Sequence, residues 1–411
     1  MKLFRQNLSK SLRFLSLKSS RSLSSPAATR TSPMEEELGQ GYDPGKYYPA
    51  RIGETIDKYL VISKLGWGAN STAWLAKDTS RWARQSTRYV TLKITNSGDA
   101  ANKAAEDELE ISNHISGLGS EHQGLRYIRL VKESFRMRGM SGDHICLVFE
   151  PLREPLWLLG RHLGSAGVPP KVLKAFLKIL LLGLDFLHSE CHVIHTDLKA
   201  DNFLIVFEDA VVLKSYVNQQ ERDPAPHVFR NGRPVFESRP DFGPLRRGCC
   251  CLRHVPSLHN HEIQPQPFCA PEVLLRAGWT YSANIWNLGT MLWELLAETT
   301  LFDGICPDSA LYSREAHIAQ MIRLLGPPPP QLLSKCDPGI HDNLFSSQGT
   351  FKFPHLVPSE DYNLSNLTPF LDGEDKRLFI EFVLRMLQWE PERRSSAKQL
   401  FDDPWLSYNY P

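Results

Sequence analysis

The sequence has little of what membrane proteins and disulfide-stabilised proteins need. Its longest apolar stretch, residues 172–187, contains Lys174, Lys178 and Asp185, so it is too short and too charged to span a bilayer. The eight cysteines include no CxxC pair, and a chain of 411 residues does not depend on disulfides for its core. We therefore expect no transmembrane helix, no membrane partner and a reducing compartment.

Neither sign of charge dominates, since 47 Lys and Arg stand against 46 Asp and Glu. With 42% hydrophobic and 23% charged residues the composition is that of a globular protein, which excludes collagen-like, coiled-coil and wholly disordered chains. Residues 35–411 are mildly acidic because residues 1–34 hold seven basic residues and no acidic one. This balance argues against nucleic acid as a direct partner. It is compatible with a basic protein substrate, and it is also an ordinary value for solubility.

The N-terminal 45 residues form a basic, Ser-rich tail that we expect to lie outside the fold. Nine serines and recurring Lys and Arg accompany Phe4, Leu8, Leu12 and Leu15, which share one helical face. This is the composition of a mitochondrial transit peptide. A disordered tail on a cytoplasmic or nuclear protein is the alternative.

The rest of the chain changes character near residue 152. Residues 46–152 alternate as strands at 59–64, 89–94 and 144–150 with a helix at 100–115, which predicts a small β-rich lobe. Residues 153–411 have helical patterns at 172–188, 283–297, 314–325 and 376–389, which predict a larger helical lobe. Residues 206–268 have few periodic stretches, so we expect an irregular insert there. The fold class is α+β and bilobal.

Phosphate-binding chemistry is indicated in the β-rich lobe. The phrase LGWGANSTA places two glycines at a turn between strands, where backbone N–H groups can approach phosphate oxygens. Lys93, on the next strand, can neutralise nucleotide phosphates. In the following helix Glu108 shares the inward apolar face, whereas Glu106 and Glu110 lie on the other side. Glu108 is therefore the predicted partner of Lys93.

The phrase HTDLKADNFL holds the parts that phosphoryl transfer needs in one loop. Asp197 can accept a hydroxyl proton, Lys199 can hold the γ-phosphate and Asn202 can ligate Mg²⁺. Farther along, Ala270-Pro271-Glu272 marks the end of an activation segment, and Arg394 is placed to form a buried ion pair with Glu272.

These motifs together resemble the eukaryotic protein kinases, and specifically the SR-protein kinases and their fungal relatives. The resemblance extends over residues 46–407 through KLGWGANSTAWLAKD, YVTLKI, HICLVFEPL, VIHTDLKADNFLI, HEIQPQPFCAPEVLL and MLQWEPERRSSAKQL. It implies a protein-kinase fold, ATP with Mg²⁺, and phosphorylation of Ser or Thr in protein substrates, including Arg/Ser-rich ones. It also implies that the backbones of Glu150 and Leu152 hold adenine. The remaining ATP-binding candidates are Leu65, Gly66, Trp67, Gly68, Ala69, Asn70, Ser71, Thr72 and Ala73.

The chain departs from this family at the metal-binding motif. The match to DFG is Asp241-Phe242-Gly243, but prolines flank it and no apolar strand precedes it. Similar fungal sequences carry this phrase upstream of a separate strand with the metal-binding Asp, and no other Asp stands between Phe242 and Ala270. Asp241 is thus a metal ligand or a loop residue, and we favour the loop. Three adjacent cysteines, 249–251, do not suit a zinc site. Asn284 stands where kinases have Asp.

Two functions remain open from the sequence. The first is an active serine/threonine kinase, acting as a monomer, with Asp197 as base, Lys199 on the phosphate and Asn202, with or without Asp241, on Mg²⁺. The second is a pseudokinase that keeps the fold but has lost the metal-binding strand. A small-molecule phosphotransferase is disfavoured by the segments from Ala270 onward, which resemble protein kinases only.

Overall fold

The computed structural model describes residues 35–39, 42–81, 86–165, 167–245, 252–254 and 264–408, and the chain divides into two compact units. Unit 1 contains the described residues up to Asn113 with Leu130–Arg153 and Phe207–Gly243. Unit 2 contains His114–Arg129, Glu154–Val206 and the described residues from Pro244 onward. Within these ranges no helix is long and apolar enough to cross a bilayer. The α+β class predicted from the sequence is confirmed.

Unit 1 is built on an antiparallel sheet with strand order β1-β2-β3-β4-β6-β5. Its strands are β1 Thr55–Ile56, β2 Tyr59–Gly68, β3 Ser71–Asp78, β4 Tyr89–Thr95, β5 Glu133–Arg138 and β6 Asp143–Phe149. One face buries a cluster that includes Val61, Trp74 and Val148. The predicted strands at 59–64, 89–94 and 144–150 are therefore present.

Helix α1, Asp99–Gly117, follows β4 and belongs to unit 1 as far as Asn113. Its Ala105 and Leu109 pack against Ile145, Leu147 and Phe149 of β6. This contact turns the face that contains Glu108 toward the sheet, because residues three and four apart share one side of a helix.

The segment expected to be an irregular insert is partly regular, and part of it belongs to unit 1 rather than to the helical lobe. It contains helix α4, Ala210–Arg222, and a hairpin of β8 His227–Arg230 and β9 Arg233–Phe236. Two further strands, β7 Phe203–Ile205 and β10 Leu252–His254, pair with each other in unit 2.

Apolar contacts explain why residues 207–243 join unit 1. Phe236 packs edge-on against Trp74, with ring centroids 5.9 Å apart. Helix α4 buries Val212, Leu213, Tyr216 and Val217, and these side chains form one cluster with residues of β2 and β3. Their spacing is a short helical stripe that the sequence analysis missed.

The predicted tail boundary at residue 45 also differs from the structure. Glu35 and Glu36 are buried in unit 1, and Glu36 is fully enclosed. The Nζ atom of Lys64, on β2, contacts both carboxylates, so the acidic residues are held by charge rather than by an apolar core. Residues 1–34 lie outside the described part of the chain.

Deleting residues 1–34 should leave the melting temperature of the protein within about 2 °C of the full chain. Deleting residues 1–38 should lower it by roughly 6 °C or more, because Lys64 and Arg233 would then be buried without their carboxylates, at about 3–5 kcal/mol. Calorimetry of both truncations is the check. Equal melting temperatures would contradict the structural role of Glu35 and Glu36.

Unit 2 is mostly helical and buries one large apolar cluster. Its helices are α2 Leu159–Leu163, α3 Pro170–Ser189, α5 Pro271–Leu274, α6 Ser282–Ala297, α7 Arg314–Leu325, α8 Pro330–Leu333, α9 Pro338–Leu344, α10 Gly373–Leu384, α11 Ala397–Phe401 and α12 Pro404–Ser407. The helix predicted at 376–389 ends at Leu384, where the backbone N–H groups of Arg385 and Met386 donate to carbonyls only three residues back, those of Phe382 and Val383.

Candidate active site

The glycine-containing turn joins β2 to β3 in unit 1. In the sheet register Gly66 faces Ala73, and Ala73 faces Lys93 on β4. Residues Ala69 and Asn70 at the tip of the turn are exposed. The sheet therefore places the turn and Lys93 on neighbouring strands, as a phosphate-binding site needs.

Lys93 and Glu108 form the ion pair predicted from helix periodicity. The Lys93 Nζ atom donates to Glu108 Oε2 at 2.6 Å. The neighbouring Glu106 instead pairs with Arg136 at 2.5 Å. The Lys93 side chain is 34% exposed, so its ammonium keeps donors for a phosphate oxygen while Glu108 holds its position.

The two residues expected to hold adenine follow β6 directly. Phe149, the last residue of β6, and Leu152 are buried, while Glu150 is half-buried. Glu150 and Leu152 lie in a segment without regular secondary structure, and this segment belongs to unit 1. An adenine-binding role for their backbone atoms stays a prediction.

The catalytic-loop candidates come together in unit 2. Lys199 Nζ lies 2.9 Å from Asp197 Oδ2. The amide of Asn202 donates from Nδ2 to the backbone oxygen of Asp197 at 2.6 Å and to Oδ2 at 3.1 Å. Burial opposes the charge of Lys199, but the carboxylate of Asp197 outweighs it and raises the pKa of Lys199. The loop thus holds the carboxylate of Asp197 beside a lysine that stays cationic at neutral pH.

Asn284 of α6 holds the start of this loop in a way that Asp could not. Its Oδ1 atom accepts from the backbone N–H of His195 at 2.9 Å, and its Nδ2 donates to the backbone oxygen of His195 at 2.6 Å. An ionised Asp only accepts, so it could not make the second of these two hydrogen bonds. The departure from the family pattern is therefore compatible with an ordered loop.

Two residues near the loop were missed by the sequence analysis. Gln264 has φ near +72° and links three elements through hydrogen bonds with Thr196, Ala270 and Ala283. Burial raises the pKa of Glu294 to about 7, and the negative charge of Asp201 adds to that effect. Glu294 is the single charged residue of apolar helix α6, and this was a signal in the sequence.

The predicted pair of Glu272 and Arg394 is present and fully buried. The two terminal nitrogens of the Arg394 guanidinium each donate to one carboxylate oxygen of Glu272 at 2.6 Å. Arg394 also donates to the backbone oxygens of Ser282 and Gln388. This pair ties the start of α5, the start of α6 and the segment before α11 together.

Asp241 lies in unit 1, in an exposed loop, while Asn202 lies in unit 2. Its Oδ1 atom accepts from the backbone N–H of Gly243 at 2.8 Å, which is a local turn. Phe242 packs against Phe207 and Tyr216, with ring centroids 4.9 and 4.5 Å away. The described contacts of this DFG phrase are therefore those of a segment packed on α4.

A strand is present in the segment that the sequence analysis considered lost. Strand β10 is antiparallel to β7, with His254 opposite Phe203. No Asp follows β10 before Ala270 in the sequence. The cysteines 249–251 and the residues 255–263 lie outside the described residues. Asn202 is thus the metal-ligand candidate that the structure places in the catalytic loop.

The described residues of the site could bind a nucleotide with Mg²⁺, but they provide only one candidate protein ligand for the metal ion, Asn202. The hydrogen bonds of Asn202 use its nitrogen, which leaves Oδ1 as an oxygen ligand. Magnesium takes few protein ligands and fills its shell with water and substrate phosphates. Among the described residues no group of three His, Cys, Asp or Glu side chains forms a metal site. Asn202 and the nucleotide phosphates are therefore the fitting donors.

The sequence matches a family model described as the protein kinase domain over residues 59–215 and 248–406. This match spans more than half of the chain and both sets of candidate site residues. The chain belongs to the protein kinase family. The resemblance noted in the motifs is thereby confirmed.

Similar proteins support the same assignment. The kinase is 35% identical to a serine/threonine protein kinase of Aspergillus fumigatus over 391 residues, which cover 91% of each chain. It is 30% identical over 408 residues to a Physarum polycephalum protein named serine/threonine-protein kinase SRPK, covering 91% and 92% of the two chains. The chain is thus a protein serine/threonine kinase, and these relatives favour this prediction over the pseudokinase alternative.

A crystal structure of a kinase domain matches the fold of this kinase. The TM-score is 0.61 at 21% sequence identity, with 89% of this chain and 100% of the other chain covered. At this identity the likeness supports the predicted protein-kinase fold alone.

Proposed function

We propose that this kinase transfers the γ-phosphate of ATP, in the presence of Mg²⁺, to serine or threonine in Arg/Ser-rich protein segments, and that it acts as a monomer. The observation that carries the proposal is the loop in which Lys199 and Asn202 both contact Asp197. A carboxylate held beside a cationic lysine and a metal-ligating amide is the arrangement that phosphoryl transfer requires.

The catalytic base in this proposal is Asp197. It accepts the proton of the substrate hydroxyl while Lys199 stabilises the negative charge of the transferred phosphoryl group. Asn202 orients Asp197 through Nδ2 and offers Oδ1 to the metal ion. Bound Mg²⁺ would supply neutralisation of the charge on the phosphates.

Nucleotide binding in this proposal rests on unit 1. The backbone N–H groups of the glycine turn and the ammonium of Lys93 bind phosphate oxygens, and Glu108 keeps Lys93 in place. The backbone of Glu150 and Leu152 provides hydrogen bonds to adenine. The two phosphate-binding roles are supported by the register of β2, β3 and β4, which brings the turn and Lys93 to neighbouring strands.

The proposed substrate class rests on charge and on similarity. Residues 35–411 carry more acidic than basic residues, which is compatible with a basic substrate. The motifs resemble SR-protein kinases, and a relative of similar length is named SRPK. Arginine is the cation that pairs with carboxylates through two parallel hydrogen bonds, so it should be preferred over lysine.

The substrate class can be tested with two synthetic peptides of equal charge. We expect kcat/KM for an Arg-Ser repeat to exceed that for a Lys-Ser repeat by about tenfold, which is the value of one charge-assisted hydrogen bond. Initial rates with the full chain, and with Asp197→Asn as the blank, provide the measurement. Equal rates on both peptides would contradict the Arg/Ser proposal and would leave the assignment as a kinase unaffected.

We also propose that residues 1–34 direct the kinase to mitochondria, on the basis of their basic, Ser-rich and amphipathic composition. A fluorescent protein fused to these residues should enter mitochondria. A cytoplasmic or nuclear signal from the same fusion would overturn the proposal.

A further inference from the structure

A buried tyrosine supports the tip of the glycine turn from behind. The hydroxyl of Tyr47 lies 3.1 Å from the backbone oxygen of Ala69 and 3.3 Å from that of Gly68. One hydroxyl proton is thus shared between two carbonyl oxygens of the turn. The side-chain nitrogen of Asn96 also donates to the Ala69 oxygen, at 3.1 Å. The side chains of Tyr47 and Asn96 therefore hold the carbonyl groups at the tip of the turn in place.

Peptide geometry converts this contact into an orientation of N–H groups. A trans peptide unit is planar, and its C=O and N–H bonds point in opposite directions. The oxygens of Gly68 and Ala69 belong to the same peptide units as the N–H groups of Ala69 and Asn70. Holding the oxygens on the Tyr47 side directs these two N–H groups away from it, toward the exposed side of the turn.

Tyr47 is itself held by residues far away in the sequence. Its ring lies 5.4 Å from the ring of Tyr42, and the guanidinium of Arg233 stacks over it at 5.1 Å. Arg233, on β9, donates to the Tyr42 hydroxyl at 3.1 Å and to Glu36 Oε1 at 2.5 Å. The ring of Tyr47 is thus packed against an aromatic ring and a guanidinium that are themselves hydrogen-bonded to each other.

The acidic segment completes the support. Glu36 contacts Lys64 as well as Arg233, and burial of Glu36 is outweighed by these two positive charges, which lower its pKa. Glu35 accepts from the backbone N–H and the hydroxyl of Ser238 at 2.9 and 2.7 Å. Lys64 stands on β2, four residues before Gly68, so the network runs along the strand that leads into the turn.

We propose that Tyr47 is a positioning residue for the nucleotide phosphates. Through the carbonyls of Gly68 and Ala69 it aims backbone N–H groups at the phosphate oxygens, and Arg233 and Glu36 hold it in that position. This inference rests on the proposed use of ATP. It assigns a function to the acidic segment and to the β8–β9 hairpin, which the catalytic residues alone do not explain.

Tyr47→Phe removes the hydroxyl and keeps the ring, so it isolates the contact with the turn. Tyr48→Phe is the matched control, because the neighbouring hydroxyl contacts Glu54 at 3.2 Å and not the turn. We would titrate full-length wild type and both variants with ATP and with adenosine by calorimetry. Adenosine lacks phosphates, so it separates phosphate contacts from adenine contacts.

We expect Tyr47→Phe to weaken ATP binding by about 3- to 10-fold, the effect of one lost hydrogen bond, and to leave adenosine binding unchanged. In steady-state assays KM for ATP should rise while KM for the protein substrate stays constant. Tyr48→Phe should change neither ligand. Unchanged ATP affinity in Tyr47→Phe, or an equal loss for ATP and adenosine, would overturn the positioning role. If wild type binds neither ATP nor adenosine, the proposed use of ATP is contradicted, and the positioning role of Tyr47 that rests on it is contradicted as well.

Discussion

Replacing Asp197 with Asn should reduce phosphoryl transfer by about 100-fold or more. An amide has the shape of the carboxylate but cannot accept the proton of the substrate hydroxyl. ATP affinity should stay within a few-fold of wild type, because the described contacts of Asp197 are with Lys199 and Asn202 and not with the glycine turn. Steady-state transfer and nucleotide titration on the same preparation separate the two effects.

The same substitution at Asp241 discriminates between its two sequence interpretations. Its carboxylate is exposed and binds the backbone of Gly243, so we expect Asp241→Asn to keep transfer within a few-fold of wild type. A loss comparable to that of Asp197→Asn, together with loss of the Mg²⁺ dependence of ATP binding, would show that Asp241 is a metal ligand. Transfer close to wild type in Asp197→Asn would instead refute the catalytic base.

Arg394→Ala should destabilise the kinase by about 3–5 kcal/mol. The substitution leaves the fully buried carboxylate of Glu272 without its partner and removes the side-chain donor that binds the backbone oxygens of Ser282 and Gln388. The melting temperature should fall by roughly 6 °C or more for a unit of this size. Calorimetry or thermal circular dichroism measures the shift.

Arg377→Ala is the control for this experiment, because Arg377 pairs with Glu374 on the surface, where both side chains are about half exposed. Water screens such exposed pairs, so they contribute little to stability and the melting temperature should hardly change. Similar shifts for both variants would show that the Glu272 pair does not stabilise the fold beyond an exposed pair.

Most of the secondary structure and most of the candidate site residues could be predicted from local patterns in the sequence. Strand alternation located β2, β4 and β6, and helix periodicity selected Glu108 over Glu106 as the partner of Lys93, because a helix face is a property of spacing alone. The catalytic loop was found for the same reason, since its three functional residues stand within six positions.

What the sequence did not provide depends on contacts between distant segments. Phe236 and Trp74 are far apart in the chain, so nothing local showed that residues 207–243 join unit 1. The acidic residues at 35 and 36 were interpreted as the solvated end of a tail. Only the structure shows that they are buried and form ion pairs with Lys64 and Arg233. The two-sided bonding of Asn284 likewise depends on the position of His195.

The most direct test of the account is phosphate incorporation from γ-labelled ATP by the full chain. We predict that, with Mg²⁺, wild type labels serine or threonine in a protein or peptide substrate, as identified by mass spectrometry, and that Asp197→Asn does not. Binding of ATP by wild type without any label in Arg/Ser-rich and other basic substrates would contradict the account, because the fold would then bind nucleotide without transferring phosphate.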